Sequence, residues 1–175
     1  KFKRKDYWLP AMGNLDFEIK NQWPFKFTLS EIQCAAGIRM LKKLDSLNTL
    51  RIKRAKKFFK KFFNYKELSF NKNFKNNRHV YHLLSAYFKS DRKNTNRDDL
   101  IRLLYKKFNI KCAVQYYPLD RYDLFKKNGL GKSRCPNTDK FFDNMISFPF
   151  HVWMSDKQFK YLINSTKRAL DILRK

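Results

Sequence analysis

Three groups of residues in this 175-residue chain have types that could do chemistry. The first is His79 with His82, a candidate metal pair. On a strand, residues three apart lie on opposite faces, which is poor geometry for a shared ion. His151 is far along the chain and no Cys-x-x-Cys pair exists, so no metal site is expected. The second group is the cysteines, Cys34, Cys112 and Cys135. An odd number without pairing spacing points to a reduced, cytoplasmic setting. A Cys–His nucleophile pair has no local support. The third is Gly129-Leu130-Gly131-Lys132-Ser133, which has the tail of a phosphate loop. The earlier glycine of Gly-x-x-x-x-Gly-Lys-Ser is missing, so the run reads as a turn.

Charge is a fourth signal. There are 40 Lys+Arg against 15 Asp+Glu, a formal net charge of +25. A polyanion partner is one reading. The other is compositional drift, since the basic residues are spread along the whole chain beside abundant Asn and Phe. The densest run is Arg51 to Phe63, a basic amphipathic helix with four phenylalanines. Alone it would suit a membrane surface or a nucleic acid. The alternative is a helix that packs its aromatic face on its own lobe and turns its lysines to water. Hydrophobic residues make up 43% of the chain, enough for a core. No apolar run approaches the roughly 18 residues of a membrane span, and the basic start has no apolar stretch behind it.

The elements that must position any site follow from periodicity. Thr28 to about Phe63 repeats apolar residues at spacings of three and four, which predicts about 50 Å of helix. Asp45-Ser46-Leu47-Asn48 is a plausible bend, because Asp, Ser and Asn compete for backbone hydrogen bonds. A strand is predicted over His79–Phe88, a helix over Arg97–Phe108 and a strand over Cys112–Tyr117, ended by Pro118. Asp98 and Asp99 suit the first turn of their helix. Short helices are expected at Asp120–Lys127 and Asn137–Asn144, then an extended run, Met145–Phe148. The last helix starts at Ser155, with Gln158 completing a capping box and Met154 opposite Phe159 as a staple. The segment before Trp23 has no sustained period and reads as a loop. The whole reads as a small α/β lobe with a short sheet covered by helices.

The stretch Thr28-Leu29-Ser30-Glu31-Ile32-Gln33-Cys34-Ala35-Ala36-Gly37 is a helix start followed by small residues. Thr28 and Glu31 fit a capping box, and Phe27 with Ile32 a hydrophobic staple. Phe27 to Gly37 resembles the aromatic-Arg-Met-Ser-Glu-Ile-Gln-Ala-Ala-x-Gly signature of the DegT/DnrJ/EryC1/StrS sugar aminotransferases. His79-Val80-Tyr81-His82-Leu83 resembles that family's Tyr-His-Leu segment. Val114 to Leu119 is similar to its His-Tyr-x-Pro-Leu turn. Cys135 to Asp139 and Ile146 to Phe150 are similar to its closing Leu-Ser-Leu-Pro segment. The four occur in the family's order, with matching helices between them.

The resemblance implies the α+β C-terminal domain of a fold-type I aminotransferase: a long spine helix and a short, mainly antiparallel sheet covered by helices. Residues 1–28 would belong to a missing large domain, and 29–175 would form the small domain with its linking helix. The family uses pyridoxal 5'-phosphate to move an amino group, usually from glutamate or glutamine, onto a nucleotide-linked keto sugar. It works as a homodimer in amino-sugar and polysaccharide biosynthesis. Its Schiff-base lysine lies upstream of the capping-box helix, before a Gly-Glu-Gly-Gly-like run. This chain has no such run and is expected to lack that lysine, hence to be inactive alone.

By the same resemblance, Lys26 and Thr28 stand where the family reaches the partner's cofactor phosphate. Their alternatives are a solvated lysine and a plain helix cap. Gln115, Tyr116 and Tyr117 stand at the turn that lines the sugar-nucleotide side, with strand-end packing as the alternative. Arg121 is a candidate for the diphosphate or else a surface arginine, and Trp8 and Trp23 would wall the pocket or simply pack. A close variant of the family dehydrates the sugar at C3 with histidine in place of the lysine. A basic module for nucleic acid or a membrane surface is the reading from another class.

Overall fold

The structure is a computed structural model that describes residues 8–10, 29–71, 73–92 and 95–174, the first three by backbone path alone. Lys26, Thr28, Trp23 and the Phe27 half of the first staple lie outside the described residues.

The long helix forms as predicted, as α1, Glu31–Lys61. At 1.5 Å per residue it is about 46 Å long. Its cap is Ser30 rather than Thr28. Gln33 N–H donates to Ser30 Oγ at 3.3 Å, and Ser30 N–H donates to Gln33 Oε1 at 2.8 Å. Thr28-x-x-Glu31 and Ser30-x-x-Gln33 both satisfy the capping-box spacing, so spacing alone does not choose between them. Glu31 becomes the first helical residue, where its charge meets the positive end of the dipole. The expected bend at 45–48 does not interrupt α1. Ser46 Oγ donates to Lys43 O and Thr49 Oγ1 to Asp45 O, each at 2.8 Å. The polar side chains bond to carbonyls of their own helix, leaving its amides in place.

The sheet has the order β1-β4-β5-β3-β2. Its strands are β1 (Trp8–Pro10), β2 (Leu68–Ser69), β3 (Leu84–Phe88), β4 (Cys112–Val114) and β5 (Met145–Phe148). β1 runs parallel to β4 and the other pairings are antiparallel. Trp8–Pro10 was expected to be loop. It is a strand because it finds a partner more than a hundred residues away, with Trp8 opposite Cys112. Central β5 is buried along its whole length, while β3 alternates, as a strand buried mainly on one face does.

Two predicted strands are shorter than their composition suggests. His79–Leu83 does not pair. His79 Nδ1 accepts from Tyr81 N–H at 2.9 Å, and Arg51 Nη1 donates to His82 O at 3.1 Å, so these backbone groups are taken. β4 stops at Val114, because Gln115 N–H turns to Met145 Sδ at 3.1 Å instead of a ladder carbonyl.

The remaining helices are α2 (Arg97–Phe108), α3 (Asp123–Lys127), α4 (Pro136–Asn144) and α5 (Asp156–Arg174). Asn96 caps α2 by accepting from Asp98 and Asp99, and Asp99 accepts in return from Asn96 N–H. Ser155 and Gln158 form the predicted box at the start of α5. At the glycine turn Gly129 has φ of 77°, which suits a residue without Cβ. α3 precedes this turn and coil follows it, so the helix a phosphate loop must open is not there.

The core gathers around Phe58. Its ring lies 4.6 Å from Phe62, 5.1 Å from Phe148 and 6.4 Å from Phe159, joining α1, β5 and α5. Phe58 and Phe62 are buried and Phe59 packs against the same cluster. The aromatic face of the basic helix is therefore spent inside its own lobe, with Phe63 the exposed exception. Arg54 further fastens α1 by donating to Val152 O at 2.8 Å. Among the described residues the first half of α1 has no such cover: Ile32, Ile38, Met40, Leu41 and Leu44 are exposed.

Candidate functional site

The turn between β4 and α3 carries four of the predicted site residues, and the structure brings them together on one short segment. β4 delivers Gln115, whose peptide bond to Tyr116 is cis. Gln115 is half-buried and Tyr116 exposed, so an amide and a phenol are both available near the lobe's surface. Tyr117 is different, because its ring packs edge-on against Tyr122 at 5.0 Å and Phe142 at 5.5 Å. A single 3-10 turn, Leu119–Arg121, then leads into α3.

Arg121 was a candidate for meeting a diphosphate. In this structure its guanidinium pairs with Asp139 and, at 3.7 Å, with Asp143, both on α4. It also lies 5.5 Å from the centre of the Phe142 ring. Desolvation works against its charge, but the Asp139 hydrogen bond and the charges of Asp139, Asp143 and Asp120 outweigh it, and its pKa is raised. It stays a cation whose charge is already matched. Tyr122 is buried beneath the turn, and burial followed by the neighbouring Tyr117 raises its phenol above the ordinary 10.0.

The anchors of this turn are residues that sequence reasoning missed. Phe142 receives Tyr117 and Arg121, and Met145 receives the Gln115 amide. Both carbonyls are in turn held by Arg97, which is 2% exposed: Nη1 donates to Phe142 O at 2.8 Å and to Met145 O at 2.7 Å. Asp98 accepts from Arg97 Nε at 2.6 Å. An arginine in the first turn of a helix reads as exposed, and no local signal connects it to carbonyls 45 residues away. Asp98 and Asp99 mark only where α2 begins.

The turn is one wall rather than an enclosed site. A cleft of about 360 Å³ opens at the far end of the lobe, between Glu67, Arg92 and Arg174. Others lie along loop 71–79, and none of these is lined by the 115–121 turn. Among the described residues no group of three His, Cys, Asp or Glu is placed to hold a metal. Among them, too, no helix is long and apolar enough to cross a membrane.

The fit to a pyridoxal cofactor can be judged from the lysines. Among the described residues none is buried, so none has the desolvated pocket in which an amine becomes a good nucleophile. These residues by themselves do not fit the group.

Comparison with known proteins supplies the family. A model of the DegT/DnrJ/EryC1/StrS aminotransferase family matches residues 9–167. An uncharacterised protein of Methanocaldococcus jannaschii is 30% identical over 83% of this chain and 38% of its own length. A UDP-4-amino-4,6-dideoxy-N-acetyl-beta-L-altrosamine transaminase of Campylobacter jejuni is 27% identical over 86% of this chain and 39% of its own. The crystal structure of an aminotransferase from Psychrobacter cryohalolentis superposes with a TM-score of 0.73 and 18% identity, covering 89% of this chain and 42% of that one. The chain thus spans about two fifths of the length of the relatives it matches. The long helix, the mainly antiparallel sheet and the family model agree: this chain belongs to the DegT/DnrJ/EryC1/StrS aminotransferase family.

Proposed function

We propose that this chain is the C-terminal domain of a pyridoxal-phosphate-dependent aminotransferase that acts on a nucleotide-linked keto sugar with a donor such as glutamate. The observation that carries the proposal is the family match from residue 9 to 167 in a chain two fifths the length of its relatives. The Campylobacter relative, named for transamination of a UDP-linked amino sugar, supports the substrate class. In this reading the large domain brings the reactive lysine, and the cofactor, held there, supplies an electron sink for moving the amino group. Lys26 and Thr28 would reach the cofactor phosphate of the partner in a cytoplasmic homodimer. Gln115 and Tyr116 would close the sugar side, where an amide and a phenol suit hydroxyl groups, with Tyr117 packed behind them. Residues 1–28 would belong to the large domain, although Trp8–Pro10 pairs with this lobe. The exposed apolar first half of α1 is covered by that domain.

The test compares two proteins. The 175-residue chain mixed with pyridoxal 5'-phosphate should show no lysine-linked cofactor absorbance. The chain extended by the coding sequence upstream of Lys1 should show it and should transfer an amino group from glutamate to a keto sugar nucleotide. A lysine adduct on the short chain, or an extended protein that ignores every sugar nucleotide, overturns the proposal.

A further inference from the structure

The proposed sugar-facing turn has no ladder hydrogen bond after Val114, yet it is packed against α4. The reason is a relay of contacts. Arg97, buried at the start of α2, grips the carbonyls of Phe142 and Met145 and so fixes the junction of α4 with β5. From that junction the Phe142 ring meets Tyr117, and Met145 Sδ takes the Gln115 amide. Arg121 closes the far end of the turn onto Asp139 and Asp143. Its side chain is 32% exposed and that of Asp139 is 36%, so the pair is partly withdrawn from water and stronger than a fully exposed one.

We infer that Arg121 is a positioning residue: paired with Asp139, it locks the 115–122 turn onto α4 and so sets the affinity for the sugar nucleotide, without touching the diphosphate itself. The inference rests on the sugar-nucleotide reading for its ligand, but its mechanical half stands on the lobe alone. A guanidinium with two carboxylates around it has little positive potential left for a phosphate. A turn tied at Gln115, Tyr117 and Arg121 presents Tyr116 from a rigid base, and rigidity in the free state lowers the ordering cost of binding.

Two measurements test this. The first is amide hydrogen exchange on the 175-residue chain. Arg121→Ala and Asp139→Ala should each speed exchange of the 115–122 amides about fivefold, and the double variant should add little more. Amides of β5 and α2 should keep their protection, which separates a loosened turn from a loosened fold. Unchanged exchange in the turn, or additive effects, would overturn the inference whatever the protein's substrate.

The second is steady-state kinetics on the enzyme completed at its N-terminus. Arg121→Ala and Asp139→Ala should both raise KM for the sugar nucleotide about fivefold with kcat nearly kept, and Arg121→Lys should recover part of the loss. If Arg121 instead bound the diphosphate, removing Asp139 would free it and lower KM while Arg121→Ala raised it; that opposite pair of signs sinks the inference. A completed wild type that accepts no sugar nucleotide sinks the functional reading and leaves the exchange result to decide the positioning.

Discussion

Thr166 shows how single residues carry the balance of this lobe. It is fully buried in α5, and its Oγ1 has no hydrogen-bond partner among the described residues. A buried hydroxyl without a partner costs about 1–3 kcal/mol in lost hydration. Thr166→Val keeps the shape and removes the orphan, so it should stabilise the chain by about 1 kcal/mol, read as a higher midpoint in urea. A lower midpoint would mean that the hydroxyl is satisfied in solution. Cys112 is the opposite case, a side chain suited to its place: it is fully buried at the start of β4, and burial pushes its thiol well above the ordinary 9.0. It therefore behaves as a small apolar residue, whereas Cys34 and Cys135 are exposed. Cysteine spacing separated none of these roles.

Among the elements, capping chemistry was the most legible signal. The start of α5 matches its sequence reading because Ser155 with Gln158 satisfies the first turn, and at α2, placed from its apolar spacing and Asp98 and Asp99, the structure adds the Asn96–Asp99 box. α1 offered two overlapping boxes, and the structure uses the second. Two strands were drawn too long where side chains took backbone groups from the ladder, as His79 and Arg51 do around Tyr81. β1 and β2 were missed altogether, since two or three residues carry no period.

The far end of α5 gives a pH test at the same scale. Arg174 grips Glu67 with two bonds, at 2.5 and 2.8 Å, tying the last turn of α5 to the segment that enters β2. The Arg174 hydrogen bond, opposed by burial, holds the Glu67 carboxyl below its ordinary 4.5. A depressed carboxyl stabilises the fold above its unfolded value, and that contribution is lost as pH falls through the folded value. Glu67→Gln should therefore cost less than about 1 kcal/mol at pH 7, and the difference from wild type should close below pH 4.5. Denaturation midpoints at several pH values check this; a difference that persists in acid would assign the effect to packing.

At the scale of the whole molecule, the first half of α1 dominates behaviour. Ile32, Ile38, Met40, Leu41 and Leu44, with Leu29 just before the helix, are each 46% exposed or more, a larger apolar surface than a stable monomer usually shows. The chain alone should therefore self-associate. With a net charge of +25 resisting contact, the association should strengthen as salt screens the repulsion. Sedimentation velocity at low and high salt reads this directly, and Ile32→Gln with Leu41→Gln and Leu44→Gln should return the chain to a monomer. A chain that stays monomeric at high salt and melts cooperatively would count against a missing neighbouring domain.

The sequence by itself determined the family, the helices and the order of the longer elements, because apolar spacing, caps and four motif segments are local properties that need no partner. The tertiary structure decided which residues anchor the 115–122 turn. Arg97, Phe142 and Asp139 act there through contacts made across 18 to 48 positions of chain. Such contacts depend on how α2, α4 and β5 meet, and helix periodicity shows only that each has a face to bury. The same physics reassigned Arg121: a cation in a sequence looks available to any anion, and only the folded chain brings the two aspartates that claim it.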